Sequence, residues 1–347
     1  MARRSRQINL WIWIALTVLS GGSLTGLLPF DIFSLFKSLP SQQASNSSDS
    51  GSSGMGDSGV STTFDSGRMS SSSAPAGDFV SERPLLIASF NIQVLGQSKM
   101  SKSDVVQRLA EIIRRFDLIA IQEVRSKEDD VLPRLIQAAN ATGRNFSFLI
   151  GPRLGRTVSK EQYAFVFDTD RIEYDPSSIG TISDPDDQLH REPFVTRFRA
   201  KTRDTTSAFT FWMVNTHTDP DEVPQELNAL TDVFRVMQDN RTDEDDVILL
   251  GDLNASPSQF GPLRSIPYLS WSVEGVPTNT RRTKTYDNLL FSSAKTTEYT
   301  GRWGVFDMER ELGITAAEAL RVSDHMPVWA EFSQWESGAL VLSLIHI

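Results

Sequence analysis

Residues 85–124 read "LLIASFNIQVLGQSKMSKSDVVQRLAEIIRRFDLIAIQEV", and the fold turns on them. "LLIASFNI" (85–92) is an apolar run of strand length. In "DVVQRLAEIIRRF" (104–116), Val105, Leu109, Ile112 and Phe116 recur at helical spacing, with Arg108, Glu111 and Arg115 off that stripe. "DLIAIQEV" (117–124) is a second apolar run. The stretch predicts strand, helix, strand. Downstream, "EDDVLPRLIQAAN" (128–140) predicts a helix with Pro133 in its first turns. Strands are predicted at 145–151, 161–168, 193–200 and 208–217, a helix at 223–240, and strands at 246–254, 285–292 and 326–333. Strands and helices alternate early, and strands follow one another in the middle. That order predicts mixed sheets covered by helices, a layered α/β architecture.

Upstream the character changes. "MARRSRQ" (1–7) is basic, and residues 8–28 carry no charge, a length that spans a bilayer as a helix. The arginines before this run, with Trp11 and Trp13 near the interface, predict an uncleaved signal-anchor within 1–40. A cleaved signal peptide is the alternative, and either one places the rest of the chain outside the cytoplasm, anchored or secreted. Residues 41–78, rich in Ser, Gly and Asp, predict a flexible tether. The globular domain is expected over 79–335. The tail 336–347, ending in the apolar "VLSLIHI", is assigned no role.

Composition narrows the chemistry. Cysteine is absent, which excludes disulfides, thiolate metal sites and a cysteine nucleophile. Formal net charge is −10; the charges of 1–40 and 41–78 cancel, so the deficit lies on 79–347. An acidic domain is a poor passive binder of nucleic acid. A polyanionic substrate would need metal ions and a local arginine cluster to offset that field.

The ends of the predicted strands carry a selective set of residues: Asn91, Glu123, Glu161, His217, Asp252, Asn254, Asp287, Asp324 and His325. Any one of them alone reads as a turn former. Together they hold two of the four histidines and a group of acids and amides at separate strand ends, where α/β sheets assemble sites. Carboxylates and amide oxygens suit a hard cation such as Mg²⁺, Mn²⁺ or Ca²⁺. Two imidazoles among carboxylates are what metal-assisted phosphodiester hydrolysis requires. His190 and His346 are assigned no chemistry.

The blocks "FNIQVLGQSKMS", "IIRRFDLIAIQEVR", "GPRLGRTVSKEQYAFVF", "REPFVTRF", "NTHTDP", "ILLGDLNASP", "TYDNLLF" and "SDHMPV" run in order from Leu85 to Phe332. In them the chain resembles the endonuclease/exonuclease/phosphatase superfamily, and within it the deoxyribonuclease I branch. The resemblance implies a four-layer α/β sandwich, two packed mixed β-sheets flanked by helices. It implies Glu123 as principal metal ligand beside Asn91, with Asp252, Asn254 and Asp324 holding the phosphate, water or a second Mg²⁺ or Mn²⁺ ion. It implies His217 and His325 as general acid and base, oriented by Glu161 and Asp287. Arg191 and Arg125 match phosphate-contact positions. Asp184, Asp187 and Glu192 are oxygen ligands available to a structural Ca²⁺.

The chain departs from the branch at Ser159, where an aromatic residue is expected, and at Gln93 and Asn288, where arginine is. Arg281, Arg282 and Lys284 stand nearby as substitute backbone contacts. The expected function is an exported, metal-dependent endonuclease acting on DNA with little sequence preference, with a membrane contact through the N-terminal helix and no obligate protein partner. The alternatives are a sphingomyelinase-like or phosphoinositide phosphatase activity on the same fold, and a catalytically dead binding module.

Overall fold

The computed structural model describes residues 36–38, 83–239 and 244–337. The expected signal-anchor at 8–28, the tether at 41–78 and the tail at 341–347 lie outside the described residues. No helix among the described residues is long and apolar enough to cross a membrane.

In chain order the elements are β1 (Phe36–Ser38), β2 (Leu85–Leu95), α1 (Gln97–Met100), α2 (Ser103–Ile113), β3 (Leu118–Val124), α3 (Val131–Asn140) and β4 (Phe146–Ile150). Then come β5 (Gln162–Asp168), β6 (Ile172–Tyr174), β7 (Gly180–Ile182), β8 (Phe194–Ala200), β9 (Thr210–His217), α4 (Val223–Asp239) and β10 (Val247–Asp252). The last are β11 (Leu269–Trp271), β12 (Asp287–Ser292), β13 (Tyr299–Val305), α5 (Met308–Leu312), α6 (Ala316–Val322) and β14 (Val328–Phe332). One sheet has the order β1-β7-β8-β9-β10-β12-β11, with β6 also on β8, and the other β13-β14-β2-β3-β5-β4. Each sheet is mixed: β9 with β10 and β2 with β3 run parallel, and every other pair is antiparallel.

The four layers follow from a period of two along each strand. In β2, Leu85 and Ile87 face the other sheet, while Ala88, Phe90 and Ile92 face α2 and α3. The space between the sheets is filled by aromatic side chains. Phe165 stacks on Phe194 with centroids 5.2 Å apart, and Phe209 on Phe211 at 4.6 Å. Such pairs add roughly 0.5–1.5 kcal/mol each beyond their burial. The outer face of β9 and β10 packs Val214 and Leu249 against Leu227, Leu230 and Phe234 of α4. Helices therefore cover both outer faces, as the resemblance implies.

Departures from the predicted elements have local causes. Helix α3 starts at Val131 rather than 128, which leaves Pro133 in the first turn, where its missing N–H costs nothing. The strand β13 was not predicted: "YTGRWGV" is a partly exposed edge with little apolar alternation. The short helices α5 and α6 have caps readable after the fact. Asp307 accepts from Glu309 N and Arg310 N, and Thr315 with Glu318 forms a capping box.

Gly251 fixes the register beside the site. It pairs with Thr216 across the parallel β9–β10 ladder with φ of 153°. A Cβ there would lie 1.8 Å from the Thr216 carbonyl oxygen. Gly251→Ala is therefore expected to lower stability by at least ~3 kcal/mol, because neither partner is a flexible side chain. An unchanged urea midpoint would contradict this packing.

Candidate active site

Following the inward face of each strand toward one edge of the sheets, the residues pass from apolar to polar. In β2 the order is Leu85, Ile87, Ser89, Asn91; in β9 it is Phe211, Met213, Asn215, His217. In β10 it is Ile248, Leu250, Asp252; in β12 it is Phe291, Leu289, Asp287. β5 runs Phe167, Phe165, Tyr163 and ends at Glu161, just before the strand. The site is thus the core face carried one residue pair further, and the packed core holds it rigid. Glu123 breaks the alternation. Its φ is 62°, and the β3–β5 register shifts between Ile121 and Val124. That strained backbone is the kind found at functional positions.

Asp252 is the centre. Its Oδ2 lies 3.6 Å from His217 Nε2 and 3.5 Å from His325 Nε2. Behind each ring stands a second carboxylate: His217 Nδ1 is 2.8 Å from Glu161 Oε1, and His325 Nδ1 is 2.9 Å from Asp287 Oδ2. Nδ1–H donation to these buried acids fixes both tautomers and leaves both Nε2 atoms turned to Asp252. Asn91 Nδ2 donates to Asp252 Oδ2 at 3.0 Å and to Glu123 Oε1 at 3.2 Å, which joins Glu123 to the array. Val94 N donates to Glu123 Oε2 at 2.9 Å.

Charge follows geometry. Burial works against ionisation of Glu161, but His217, Arg191 and Arg125 outweigh it and hold its pKa at about 2. Burial disfavours protonated His217, yet Glu161 and Asp252 raise its pKa. His325 is raised well above the usual value against the same opposition, by Asp287 and Asp252. Asp252 is held low despite burial by its two histidines.

The residues present fit a hard cation. Asn91 Oδ1 is buried and accepts no hydrogen bond. The neighbouring Glu123 carboxylate opens on a cleft of about 340 Å³. An amide oxygen beside a carboxylate at the mouth of a cleft is an oxygen-donor set for such an ion.

Of the expected residues, Asn91, Glu123, Glu161, His217, Asp252, Asp287 and His325 are brought together. Asn254 lines the same cleft, its Nδ2 donating to Thr218 O at 2.9 Å and its backbone N to Asp252 Oδ1 at 3.0 Å. Arg125 also lines it, reaching Glu161 Oε2 at 3.2 Å, Glu123 Oε2 at 3.3 Å and the Ser159 hydroxyl at 3.2 Å.

Asp324 accepts from Gln93 Nε2 at 2.9 Å and adds its charge to the field that raises His325. Arg191 lines the cleft but is largely buried; it pairs with Glu161 at 2.8 Å and donates to the His217 carbonyl, so it also braces the histidine. Other expectations need correction. Asn288 points away and pairs with the Val273 backbone. Arg282 is ion-paired to Asp307 and Glu309. Asp184, Asp187 and Glu192 are not gathered around a point: Asp184 caps Leu189 N, and Asp187 pairs with Arg156.

Several contributors were missed. Tyr163 OH accepts from His217 N at 2.9 Å. Gln122 Nε2 donates to Asn215 Oδ1 at 2.7 Å and ties the two sheets behind the histidines. Both lie on the inward face, so continuing the period of two past the last apolar residue would have found them. His190 lines the cleft, 3.4 Å from Asp219; its place before Arg191 was the available signal.

Comparison with known proteins adds an independent line. The model of the endonuclease/exonuclease/phosphatase family matches residues 88–325. Deoxyribonuclease-1-like 1 of Mus musculus is 33% identical over 258 residues, covering 72% of this chain and 80% of the relative. Deoxyribonuclease gamma of Rattus norvegicus is 30% identical over 276 residues, 75% of this chain and 87% of that one. Deoxyribonuclease-1 of Gallus gallus is 32% identical over 265 residues, 70% of this chain and 90% of that one.

Proposed function

Because the chain belongs to the endonuclease/exonuclease/phosphatase family, we propose that it is a divalent-cation-dependent nuclease that hydrolyses DNA phosphodiester bonds with little sequence preference. The observation that carries this reading is the array Glu161–His217–Asp252–His325–Asp287, two oriented imidazoles meeting at one carboxylate. One Nε2 takes the proton of the attacking water, and the other gives a proton to the leaving oxygen. Glu161 and Asp287 touch no substrate; they keep each Nδ1 protonated and each ring still. Arg125, partly exposed between Glu123 and Glu161, is placed to donate to a phosphate oxygen. Glu123 and Asn91 would hold a Mg²⁺ or Mn²⁺ ion, which when bound supplies positive charge against the phosphate oxygens. We further propose that the domain works outside the cytoplasm, on the strength of the basic residues 1–7 and the uncharged run 8–28.

The test is purified protein incubated with supercoiled plasmid across a Mg²⁺ and Mn²⁺ series, against EDTA. Nicked circles are expected with either ion and none with EDTA. Absence of nicking with every ion, together with turnover of sphingomyelin or inositol phosphates, would move the assignment to those substrates.

A further inference from the structure

The ends of the strands opposite the active site hold a second group of acids. Asp246 stands just before β10, whose far end is Asp252; at about 3.3 Å per residue the two are roughly 20 Å apart. Glu298 stands just before β13, and Glu336 follows β14. One carboxylate oxygen from each of Asp246, Glu298 and Glu336 lies within 4.8 Å of the others. Asp246 is 5% exposed and Glu298 3%.

Buried acids in contact need a partner, and these are only half provided for. Glu298 Oε1 accepts from Ser337 N at 2.8 Å, and Glu336 Oε1 from Thr210 N at 2.9 Å. Asp246 Oδ1 and Glu298 Oε2 are buried and accept no hydrogen bond. The Thr296 hydroxyl faces Asp246 and adds a neutral oxygen to the group. Glu244 adjoins it, with Oε1 accepting from Asp246 N at 2.9 Å. Lys295, close enough to feel the Asp246 charge, is held by Asp245 at 2.6 Å, and Arg197 is engaged with Asp175 at 2.7 Å.

We propose that Asp246, Glu298 and Glu336 form a second divalent-cation site of the Ca²⁺ class, separate from the catalytic cleft. The class follows from the ligands. Carboxylates from three distant chain segments, with a hydroxyl nearby, suit the irregular oxygen shell of Ca²⁺ better than the strict octahedron of Mg²⁺. The structural effect of a bound ion would be to clamp the starts of β9, β10 and β13 to the segment after β14.

The test reads binding and melting, not catalysis. In the Glu123→Gln background, which weakens the cleft as a competing site, Ca²⁺ is titrated by calorimetry and by equilibrium dialysis. Adding Glu298→Gln should remove one bound Ca²⁺ per chain and abolish the accompanying rise in Tm. In EDTA the same substitution should hold or raise Tm, because it relieves repulsion between buried acids. Should Glu298→Gln fail to fold, Glu336→Gln, at the less buried ligand, serves the same comparison and should weaken Ca²⁺ binding at least tenfold. Unchanged stoichiometry and an unchanged Ca²⁺-dependent Tm shift in these variants would overturn the site. So would a parent background that binds no Ca²⁺ outside the cleft while Glu298→Gln raises Tm in EDTA: the acids would then simply share protons.

Discussion

His217→Ala and His325→Ala should each slow plasmid nicking by ~10²–10⁴-fold at saturating divalent ion, the range for removing a positioned general acid or base. The expectation rests on a common geometry. Both Nε2 atoms face the same Asp252 oxygen, and both Nδ1 atoms are held by buried carboxylates. Residues that act as one unit lose their effect together, so the double variant should be little slower than the worse single one. Removing His325 leaves Asp252 with one cationic neighbour fewer, and a change in ion requirement should accompany the rate loss. Rates within tenfold of the parent for either single variant would remove the acid–base roles. Multiplicative losses in the double variant would show two rings working independently.

Much of this was legible in the sequence, for a physical reason. Strands buried on both faces are continuous apolar runs, so a polar residue ending one stands out. Asn91, His217, Asp252 and Asp287 were visible on that ground. Gln122, Asn215 and Tyr163 were not, because they sit inside runs dominated by apolar neighbours, and only the period of two marks them as inward-facing. The bracing role of Arg191 was hidden because a sequence shows a charge but not its burial. The group at Asp246, Glu298 and Glu336 was out of reach altogether. Its members are separated by 52 and 38 residues; the antiparallel return of β14 along β13 brings Glu336 beside Glu298, and Asp246 joins them from the other sheet.

Glu161→Gln should damage both rate and fold, and the contrast with Asp287→Asn separates the two effects. Glu161 accepts from His217 Nδ1 and also carries Arg191 and Arg125. The amide loses the negative charge that steadies the imidazolium, and a wrongly presented amide can reverse the tautomer; a loss of ~10²–10⁴-fold in nicking is expected. It also leaves the buried Arg191 without its closest counter-charge, at a cost of about 3 kcal/mol, or roughly 6–12 °C in Tm. Asp287 has no arginine behind it; its second contact is the Thr278 hydroxyl at 2.6 Å. Asp287→Asn should therefore slow nicking comparably with a smaller fall in Tm. The pH dependence has a definite sign. The folded pKa of Glu161 lies below its ordinary value of 4.5, so its stabilisation is fully present above that pH and is lost as pH falls toward about 2. Glu161→Gln should accordingly flatten the acid limb of the stability curve between those values, while Asp287→Asn leaves that limb in place. Equal Tm losses in the two variants, or an acid limb unmoved by Glu161→Gln, would show that Glu161 does not carry this charge balance.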